Sequence, residues 1–362
     1  MSASVPFASI AATRALFVSV VIATLGACGQ PPRPSRAASP APLAAGAPGW
    51  TWSAPLDREH PLVGRIWDER RRTYVTHDEL ARRLSETRFV LLGEKHDNPD
   101  HHRLQASLLA SLTARRRSAV VFEMFEADRQ GTIDAYRARP DARAAGLGAA
   151  TGWDASGWPA FETYLPIFEV AFERGLPIVA ANLSRAKMRA IVEQGAGALG
   201  PDAAALGVDR PLPPELETSL ANELRASHCG ALPESIIPAM ALAQRARDGA
   251  FARAMADSDR GDGAVLVAGA GHVRTDRGVP LRLRELAPNR SIAAVAFVEV
   301  ARDATEPSGY ARELDARGLP YDLVWFTPRA SDADPCAGMR KRTSSGAAGS
   351  PRAEPVNGPS TE

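Results

Sequence analysis

The segment that decides the fold is FVLLGEKHD, residues 89–97. Four apolar side chains come first, and charged residues begin directly after Gly93. A short apolar run that ends at turn-forming and charged residues is typical of a strand buried on both faces. The same pattern recurs at residues 119–122, 177–181, 264–268, 292–300 and 323–326. These six segments are the predicted strands.

Helical patterns separate most of the predicted strands. Thr76 and Glu79 form a capping box, the pair of side chains that opens a helix. Asn98 and Pro99 supply a cap and a first-turn proline for a second helix. Strands that alternate with helices form a mostly parallel sheet covered on both faces. The sequence therefore predicts an α/β fold with a mostly parallel sheet flanked by helices.

Residues 184–259 contain no strand pattern and are rich in alanine, arginine, glutamate and leucine. We expect this segment to be a smaller helical cap inserted into the α/β domain. On its last helix, which should begin after Ser235, Gln244 and Asp248 fall on the apolar side. Buried polar side chains need partners. Those partners are either structural hydrogen bonds to the sheet domain or contacts in a pocket beneath the cap.

The N-terminus has the layout of a lipoprotein signal peptide, residues 1–27. Its apolar stretch, residues 15–27, would span about 20 Å as a helix, which is short of a hydrocarbon core of about 30 Å. The closing LGAC resembles a lipobox, so Cys28 is the predicted lipidation site; an ordinary secretory peptide is the alternative. Gly29 follows the cysteine, which by resemblance to enterobacterial sorting rules predicts an outer-membrane anchor and a domain facing the periplasm.

The amino-acid composition predicts the other segments of the chain. Residues 28–50 are rich in proline and alanine and predict a semi-extended tether, and residues 331–362 predict a disordered C-terminal tail. Residues 51–330 form the predicted domain. The chain has 43 basic and 42 acidic side chains and a net charge of +1, so it lacks the basic footprint of a nucleic-acid-binding protein.

Two cysteines remain once Cys28 is lipidated. An extracytoplasmic compartment is oxidising, which favours a disulfide between Cys229 and Cys336 that ties the C-terminal segment to the domain. Two free thiols are the alternative.

Ionisable side chains gather where the predicted strands end. Glu94 and His96 follow the first strand, Glu123 the second and His272 the fourth. The carboxyl ends of parallel strands line one crevice, where ligands bind. Two carboxylates and two imidazoles suit a divalent transition metal or a general acid and base. The sequence therefore predicts a functional site at this edge of the sheet.

Two further groups of residues lie near this predicted site. His101 lies in the first turn of a helix, where free N–H groups favour anions, so it is a candidate to hold a carboxylate; a surface role is the alternative. Trp158 and Tyr164 belong to an aromatic loop that could form a wall for a planar ligand, and a tyrosine oxygen can ligate ferric haem iron. The alternative is that this loop packs the cap against the sheet.

Several motifs together resemble the ChaN-like haem-binding lipoproteins of the Tiki superfamily. In chain order they are LLGEKHDNPDHHRLQ, FEMF, AANLSRAK, HCGALPE, AQRARD, GAGHVRTDRGVPLRL and YDLVWFTP, and they cover residues 88–328. The resemblance implies an α/β domain with a smaller helical part, and haem held at the surface, in some cases between two subunits. It also implies tyrosine and histidine ligands. On this chain the implied axial ligand is Tyr164, with His96, His101 and His272 nearby.

The leading hypothesis is therefore a binding protein that captures or stores haem at the outer membrane. Its expected partners are haem, the membrane through the lipid on Cys28, a second copy of the chain and an outer-membrane haem receptor. The alternative is a metal-dependent hydrolase related to Tiki proteins and erythromycin esterases. In that case Glu94 or Glu123 activates water, while His96 and His272 hold a divalent transition metal. A buried hydrogen-bond network that supports a protein-contact surface is a third interpretation.

Overall fold

The structure is a computed structural model that describes residues 50–334, 336 and 337. The predicted signal peptide, Cys28, nearly all of the tether and most of the tail lie outside these residues. Within them, eight strands form one sheet. They are β1 (Ile66–Asp68), β2 (Thr73–Val75), β3 (Phe89–Glu94), β4 (Ala119–Glu126), β5 (Ile178–Asn182), β6 (Ala264–Gly269), β7 (Ile292–Glu299) and β8 (Leu323–Thr327).

The strand order is β2-β1-β8-β7-β3-β6-β4-β5. From β8 to β5 every neighbouring pair is parallel, and β1 is antiparallel to both β2 and β8. The predicted mostly parallel α/β sheet is therefore confirmed. The β1–β2 hairpin at the edge was not predicted, because each strand has only three residues and Arg70, Arg71 and Arg72 interrupt the pattern.

Helices cover both faces of the sheet. They are α1 (His77–Ser85), α2 (Pro99–Leu112), α3 (Gln130–Arg137), α4 (Leu147–Thr151), α5 (Phe161–Glu173), α6 (Arg185–Gln194), α7 (Asp202–Leu206), α8 (Pro214–Ser227), α9 (Ile237–Ser258), α10 (Val279–Leu286) and α11 (Tyr310–Glu313). Both predicted caps are present: the side chain of Thr76 accepts from the N–H of Glu79, and that of Asn98 accepts from the N–H of Asp100.

Alternation along β3 divides the core into two layers. Val90 and Leu92 face the layer that also contains Phe168 of α5, whereas Phe89 and Leu91 face the layer that contains Phe251 of α9. Successive strand side chains point to opposite faces. A strand that is apolar at every position therefore needs helices on both sides, as the residues at 89–92 predict.

The cap predicted over residues 184–259 consists of α6 to α9 and contains no strand. Its longest helix, α9, begins at Ile237 with Pro238 in the first turn, where a missing N–H is harmless. Phe251, near the C-terminal end of α9, packs in the core beneath the sheet. Gly249 allows α7 to approach, since a Cβ there would lie 2.1 Å from the carbonyl oxygen of Leu206. α9 therefore links the cap to the sheet.

A disulfide joins Cys229, just after α8, to Cys336, beyond the last strand. Their Cα atoms are 5.5 Å apart and 107 residues separate them in the chain. The C-terminal segment is thus tied to the cap, as the sequence favoured. No helix in the described residues is long and apolar enough to cross a membrane.

The side chain of Gln130 covers part of the outer edge of β5. Its amide nitrogen donates to the carbonyl oxygen of Ile178, and its amide oxygen accepts from the N–H of Ala180, at 2.9 and 2.8 Å. These are the backbone groups that a neighbouring strand would otherwise use. The primary amide of Gln130 therefore takes the place of a strand partner.

Candidate functional site

Glu94 is the last residue of β3, and its side chain is fully buried. Its Oε1 lies 2.8 Å from Nδ1 of His96 and accepts a hydrogen bond from the Tyr164 hydroxyl at 3.1 Å. In the neutral ring, Nε2 carries the lone pair when Nδ1 donates to this carboxylate. Burial opposes protonation of His96, but Glu94 and Glu123 outweigh it and raise its pKa. Nε2 forms no hydrogen bond within the described part of the chain. The His96 side chain is 36 % exposed, and a Cβ on Gly269 would lie 3.1 Å from its Nε2.

His102 lies in a buried layer behind His96. Its Nε2 lies 3.1 Å from the carbonyl oxygen of His96 and 3.5 Å from Oε2 of Glu94. The His102 ring packs on Tyr164, with 3.9 Å between the ring centroids. The other ring nitrogen lies 3.3 Å from Oε1 of Gln105, and Nε2 of Gln105 donates to the carbonyl oxygen of Leu92. His102 therefore supports the backbone that carries His96.

Glu123, in β4, is the centre of a second buried group. Its Oε1 accepts from Arg247 of α9 and lies 3.3 Å from Nε2 of His272, while its Oε2 accepts from the N–H of Gly269 at 2.6 Å. Nδ1 of His272 lies 2.6 Å from Oδ1 of Asp248, also on α9. His272 is thus held between a carboxylate of the sheet and a carboxylate of the cap helix.

The charged side chains in this second group shift one another's pKa values. Burial opposes the protonation of His272, but Glu123 and Asp248 outweigh it and raise its pKa to about 9. Burial would raise the pKa of Glu123, but His272 and Arg247 hold it well below the usual range of a carboxyl. Near neutral pH, two cations therefore face Glu123, and the group is an electrostatic link between α9 and the sheet.

The raised pKa of His272 predicts a loss of stability at alkaline pH. A histidine whose pKa is higher in the folded than in the unfolded state stabilises the fold fully below about pH 6.5. That contribution is lost as the pH rises through about 9. We expect a decrease in the free energy of unfolding on the order of 3 kcal/mol across this interval.

Urea denaturation at several pH values measures this decrease, with His272→Gln as the comparison. The variant should be less stable at pH 6.5 and should lack the alkaline decrease. Parallel pH profiles for the two proteins would contradict the assignment of the charge to His272.

A cleft of about 460 Å³ opens beside the two groups, between the aromatic loop and the cap. Its lining includes Trp158, Met188, Arg129, Arg185 and Arg247. We call it the Trp158 cleft. The Trp158 ring packs edge-to-face on His96, with 4.8 Å between the centroids. The volume falls within the usual range for small-molecule sites, roughly 300–1,000 Å³.

The cleft combines apolar walls with positive charge. Met124, Phe125 and Trp153 add apolar surface to Trp158 and Met188. Arg247 is committed to Glu123, and Arg185 lies 3.5 Å from Glu126, but Arg129 has no ion-pair partner among the described residues. The arrangement suits a flat apolar molecule that carries negatively charged groups at its edge.

Four predicted residues, Glu94, His96, Glu123 and His272, do come together. A Cβ placed on Gly269 would lie 3.1 Å from the His96 ring and 3.6 Å from Oε2 of Glu123, so the two groups adjoin there. They do not form the expected metal site: in the described residues no set of three or more His, Cys, Asp or Glu side chains could hold a metal ion. Arg247 and the backbone N–H of Gly269 occupy the Glu123 oxygens that a metal would need.

The structure does not place Tyr164 as a ligand to haem. Its side chain is fully buried, and its hydroxyl donates to Glu94. Burial and the adjacent Glu94 raise its pKa far above that of an ordinary tyrosine, which disfavours the phenolate that ferric iron prefers. The expectation that the Tyr164 hydroxyl faces a ligand is therefore wrong.

His101 fits neither the expected role of holding a carboxylate nor the alternative of a surface residue, because it is fully buried. Its Nδ1 accepts from the N–H of Lys95 at 2.9 Å, and its Nε2 lies 2.8 Å from Oγ1 of Thr327. Burial holds its pKa well below the usual value, so it is neutral and fixes the loop after β3. His272 is likewise buried, with both nitrogens near carboxylates. Of the five predicted haem contacts, Trp158 lines the cleft, and His96 packs against Trp158 without lining the cleft itself.

Arg247 and Asp248 are site residues whose roles were not assigned from the sequence. Asp248 was recognised as a polar residue on an apolar helix face, and the pocket beneath the cap was one of its two explanations. Gln244, on the same face, lies 3.3 Å from both nitrogens of His272. Apart from its place in the AQRARD motif, no pattern in the sequence indicated a role for Arg247.

A family model and several solved structures match the chain. A family model described as haem-binding uptake, Tiki superfamily, ChaN, matches residues 80–283. The solved structure "Cofacial heme binding to ChaN of Campylobacter jejuni" is 22 % identical with a TM-score of 0.54, and the match covers 72 % of this chain and 95 % of that one. At this identity the likeness concerns the fold.

Two further structures are more distant. A type III effector, HopBA1, is 14 % identical with a TM-score of 0.39, over 76 % of this chain and 97 % of the effector. An erythromycin esterase mutant in its open conformation is 14 % identical with a TM-score of 0.38, over 71 % of this chain and 94 % of the esterase. Among curated proteins, no sequence matches the chain.

Proposed function

We propose that this protein binds haem in its Trp158 cleft, from the premise that the chain belongs to the ChaN family of haem-binding uptake proteins in the Tiki superfamily. The observation that carries the proposal is the environment of His96. Its ring packs edge-to-face on Trp158, which lines the cleft, while its Nδ1 is held by a buried carboxylate 2.8 Å away.

A histidine held in this way suits a metal-bound group. Metal-ligating histidines usually donate their second N–H to a carboxylate or carbonyl, which fixes the ring and raises its basicity. Histidine is also a common axial ligand of haem iron. His96 with Glu94 behind it fits this pattern, whereas the buried Tyr164, His101 and His272 do not. His96 is therefore the residue that would ligate the iron of bound haem.

The cleft fits the rest of the haem molecule. Haem has a flat apolar ring with two carboxylates on one edge. Trp153, Trp158 and Met188 offer apolar surface for the ring, and Arg129 and Arg185 offer cations for the carboxylates. When bound, haem would supply an iron ion that a side chain of this protein can ligate.

Titration of the purified full-length protein with hemin, in detergent, tests the proposal directly. Binding should shift the Soret band and saturate at a defined stoichiometry. Sedimentation with and without hemin then shows whether the complex is a dimer of the chain. A Soret spectrum identical to that of free hemin would contradict the proposal.

We further propose that the protein performs this function at the outer membrane, anchored through lipidated Cys28 and facing the periplasm. There it would capture or store haem that a receptor brings across the membrane. The support is the lipobox-like sequence before Cys28, with Gly29 after it. A tether of about 20 residues keeps the domain close to the bilayer.

Fractionation of cells that express Cys28→Ser tests this location. The variant should leave the membrane fraction while the purified protein binds hemin as the wild type does, because the anchor and the cleft are separate parts of the chain. Retention of the variant in the outer membrane would contradict anchoring through this residue.

A hydrolase is the second candidate. The observation in its favour is that Glu94 orients His96, as a carboxylate does for a general base. The metal-dependent form of this proposal lacks a ligand set among the described residues. Ester hydrolysis by the purified protein without hemin would favour this candidate over haem binding.

A further inference from the structure

We infer that a small cavity between the cap helix α9 and helix α10 binds a free tetrahedral oxyanion of the phosphate class. The inference does not depend on haem binding, because the cavity shares no lining residue with the Trp158 cleft. The charged side chains that line it are Arg210, Arg245, Arg277, Arg282, Asp248 and Glu285. We call it the arginine cavity.

The wall of the arginine cavity carries more positive than negative charge. Four guanidinium groups and two carboxylates line it, so the lining side chains have an excess of two positive charges. One carboxylate, Asp248, already lies 2.6 Å from Nδ1 of His272, whose pKa is raised to about 9. The other, Glu285, is shared by Arg210 and Arg282. A bound dianion would balance this excess.

The arginines also present more N–H donors than the described residues provide acceptors for. Arg245 has no carboxylate partner among these residues, and its Nη2 donates to two backbone carbonyl oxygens of the loop between α7 and α8. Arg277 donates to Glu223, but its Nε has no hydrogen-bond partner in the described part of the chain, and neither has Nε of Arg282. Unpaired buried donors cost free energy, so the cluster favours a ligand rich in acceptor oxygens.

The fold holds these cations close together. Gly207 adopts a φ of +68°, and a Cβ at this position would overlap the guanidinium of Arg282. Burial and the neighbouring Arg210 and Arg245 outweigh Asp209 and lower the pKa of Arg282. An anion among these side chains would relieve the repulsion between them.

The size and shape of the arginine cavity determine the class of ligand. A cavity needs roughly 10–15 Å³ to hold one water molecule, so a volume of about 60 Å³ suits a small ion and excludes haem. The guanidinium groups come from α9, from α10 and from the loops before α8 and α10. Donors from four segments suit an oxyanion with oxygens on all sides, and arginine is the preferred side chain for phosphate.

Thermal unfolding of the full-length protein in detergent, without hemin, tests the inference. Inorganic phosphate, added at constant ionic strength, should raise the melting temperature along a saturating curve. Arg245→Gln should raise the half-saturating phosphate concentration at least about tenfold, because it removes a charged donor from a largely enclosed site. Arg210→Gln should raise it roughly threefold, because the Arg210 side chain is 66 % exposed.

Arg225→Gln is the matched control. Arg225 is an exposed arginine of the cap that pairs with Glu234 and does not line the arginine cavity. Its half-saturating concentration should equal that of the wild type. Phosphate also stabilises folded proteins by exclusion from their surface, and that contribution should be the same in all four proteins.

Three results would overturn the inference. The first is a melting temperature that rises without saturation, since exclusion from the surface would then explain it. The second is an equal half-saturating concentration in the wild type, Arg245→Gln and Arg210→Gln. The third is tighter binding of glycerol phosphate than of inorganic phosphate, which would assign the site to a larger phosphate ester. If Arg245→Gln does not fold, the comparison of Arg210→Gln with Arg225→Gln decides.

Discussion

Arg247→Met is expected to lower the free energy of unfolding by about 3–5 kcal/mol, the usual cost of removing one partner from a buried ion pair. Arg247 donates to Glu123 and to Oδ1 of Asn182, and its side chain is 17 % exposed against 2 % for that of Glu123. Methionine keeps most of the apolar volume but leaves the Glu123 carboxylate facing His272 alone. Chemical denaturation of the two proteins measures the loss.

Arg253→Met is the control for this prediction. Arg253 lies on the same helix, and its ion pair with Asp257 is exposed on both sides, so its removal should cost less than about 1 kcal/mol. Combining Arg247→Met with Glu123→Met should recover much of the stability, because no unpaired charge then remains buried. Equal effects of Arg247→Met and Arg253→Met would show that the pair does not link the cap to the sheet.

His96→Ala should lower the affinity for hemin by at least about 100-fold. Loss of a residue that only supports a metal ligand typically lowers affinity about 10–100-fold, and His96 is the proposed ligand itself. The change also removes the edge-to-face contact with Trp158. Titration in the Soret region measures the dissociation constants of the variant and the wild type.

His228→Ala is the matched control for that titration. His228 is a partly exposed histidine at the end of α8, and it does not line the Trp158 cleft. Its replacement should leave hemin binding unchanged. If the His96 variant bound hemin as tightly as the wild type, the axial ligand would have to be another residue.

The sequence predicts the sheet and the place of the site well, because both follow from local patterns. An apolar run with a charged residue directly after it determines both a buried strand and a polar side chain at its end. Glu94, His96, Glu123 and His272 were found in this way. The β1–β2 hairpin was missed because its strands are too short to produce a pattern.

Which predicted side chains face the ligand depends on packing between distant segments. Tyr164 and His102 are buried because α5 packs on α2, and His101 is buried because Thr327 of β8 lies against its ring. No spacing within one segment encodes these contacts. Arg247 was missed for the same reason, since its partner, Glu123, is 124 residues away in the chain.

Gln130 bears on how two copies of this protein can associate. Its amide already bonds the N–H of Ala180 and the carbonyl oxygen of Ile178, so a second chain cannot extend the sheet there without displacing it. Edge-to-edge strand addition is a common route to aggregation, and the Gln130 amide opposes it at this edge. An association of two copies at the β5 edge would therefore have to use side chains rather than backbone hydrogen bonds.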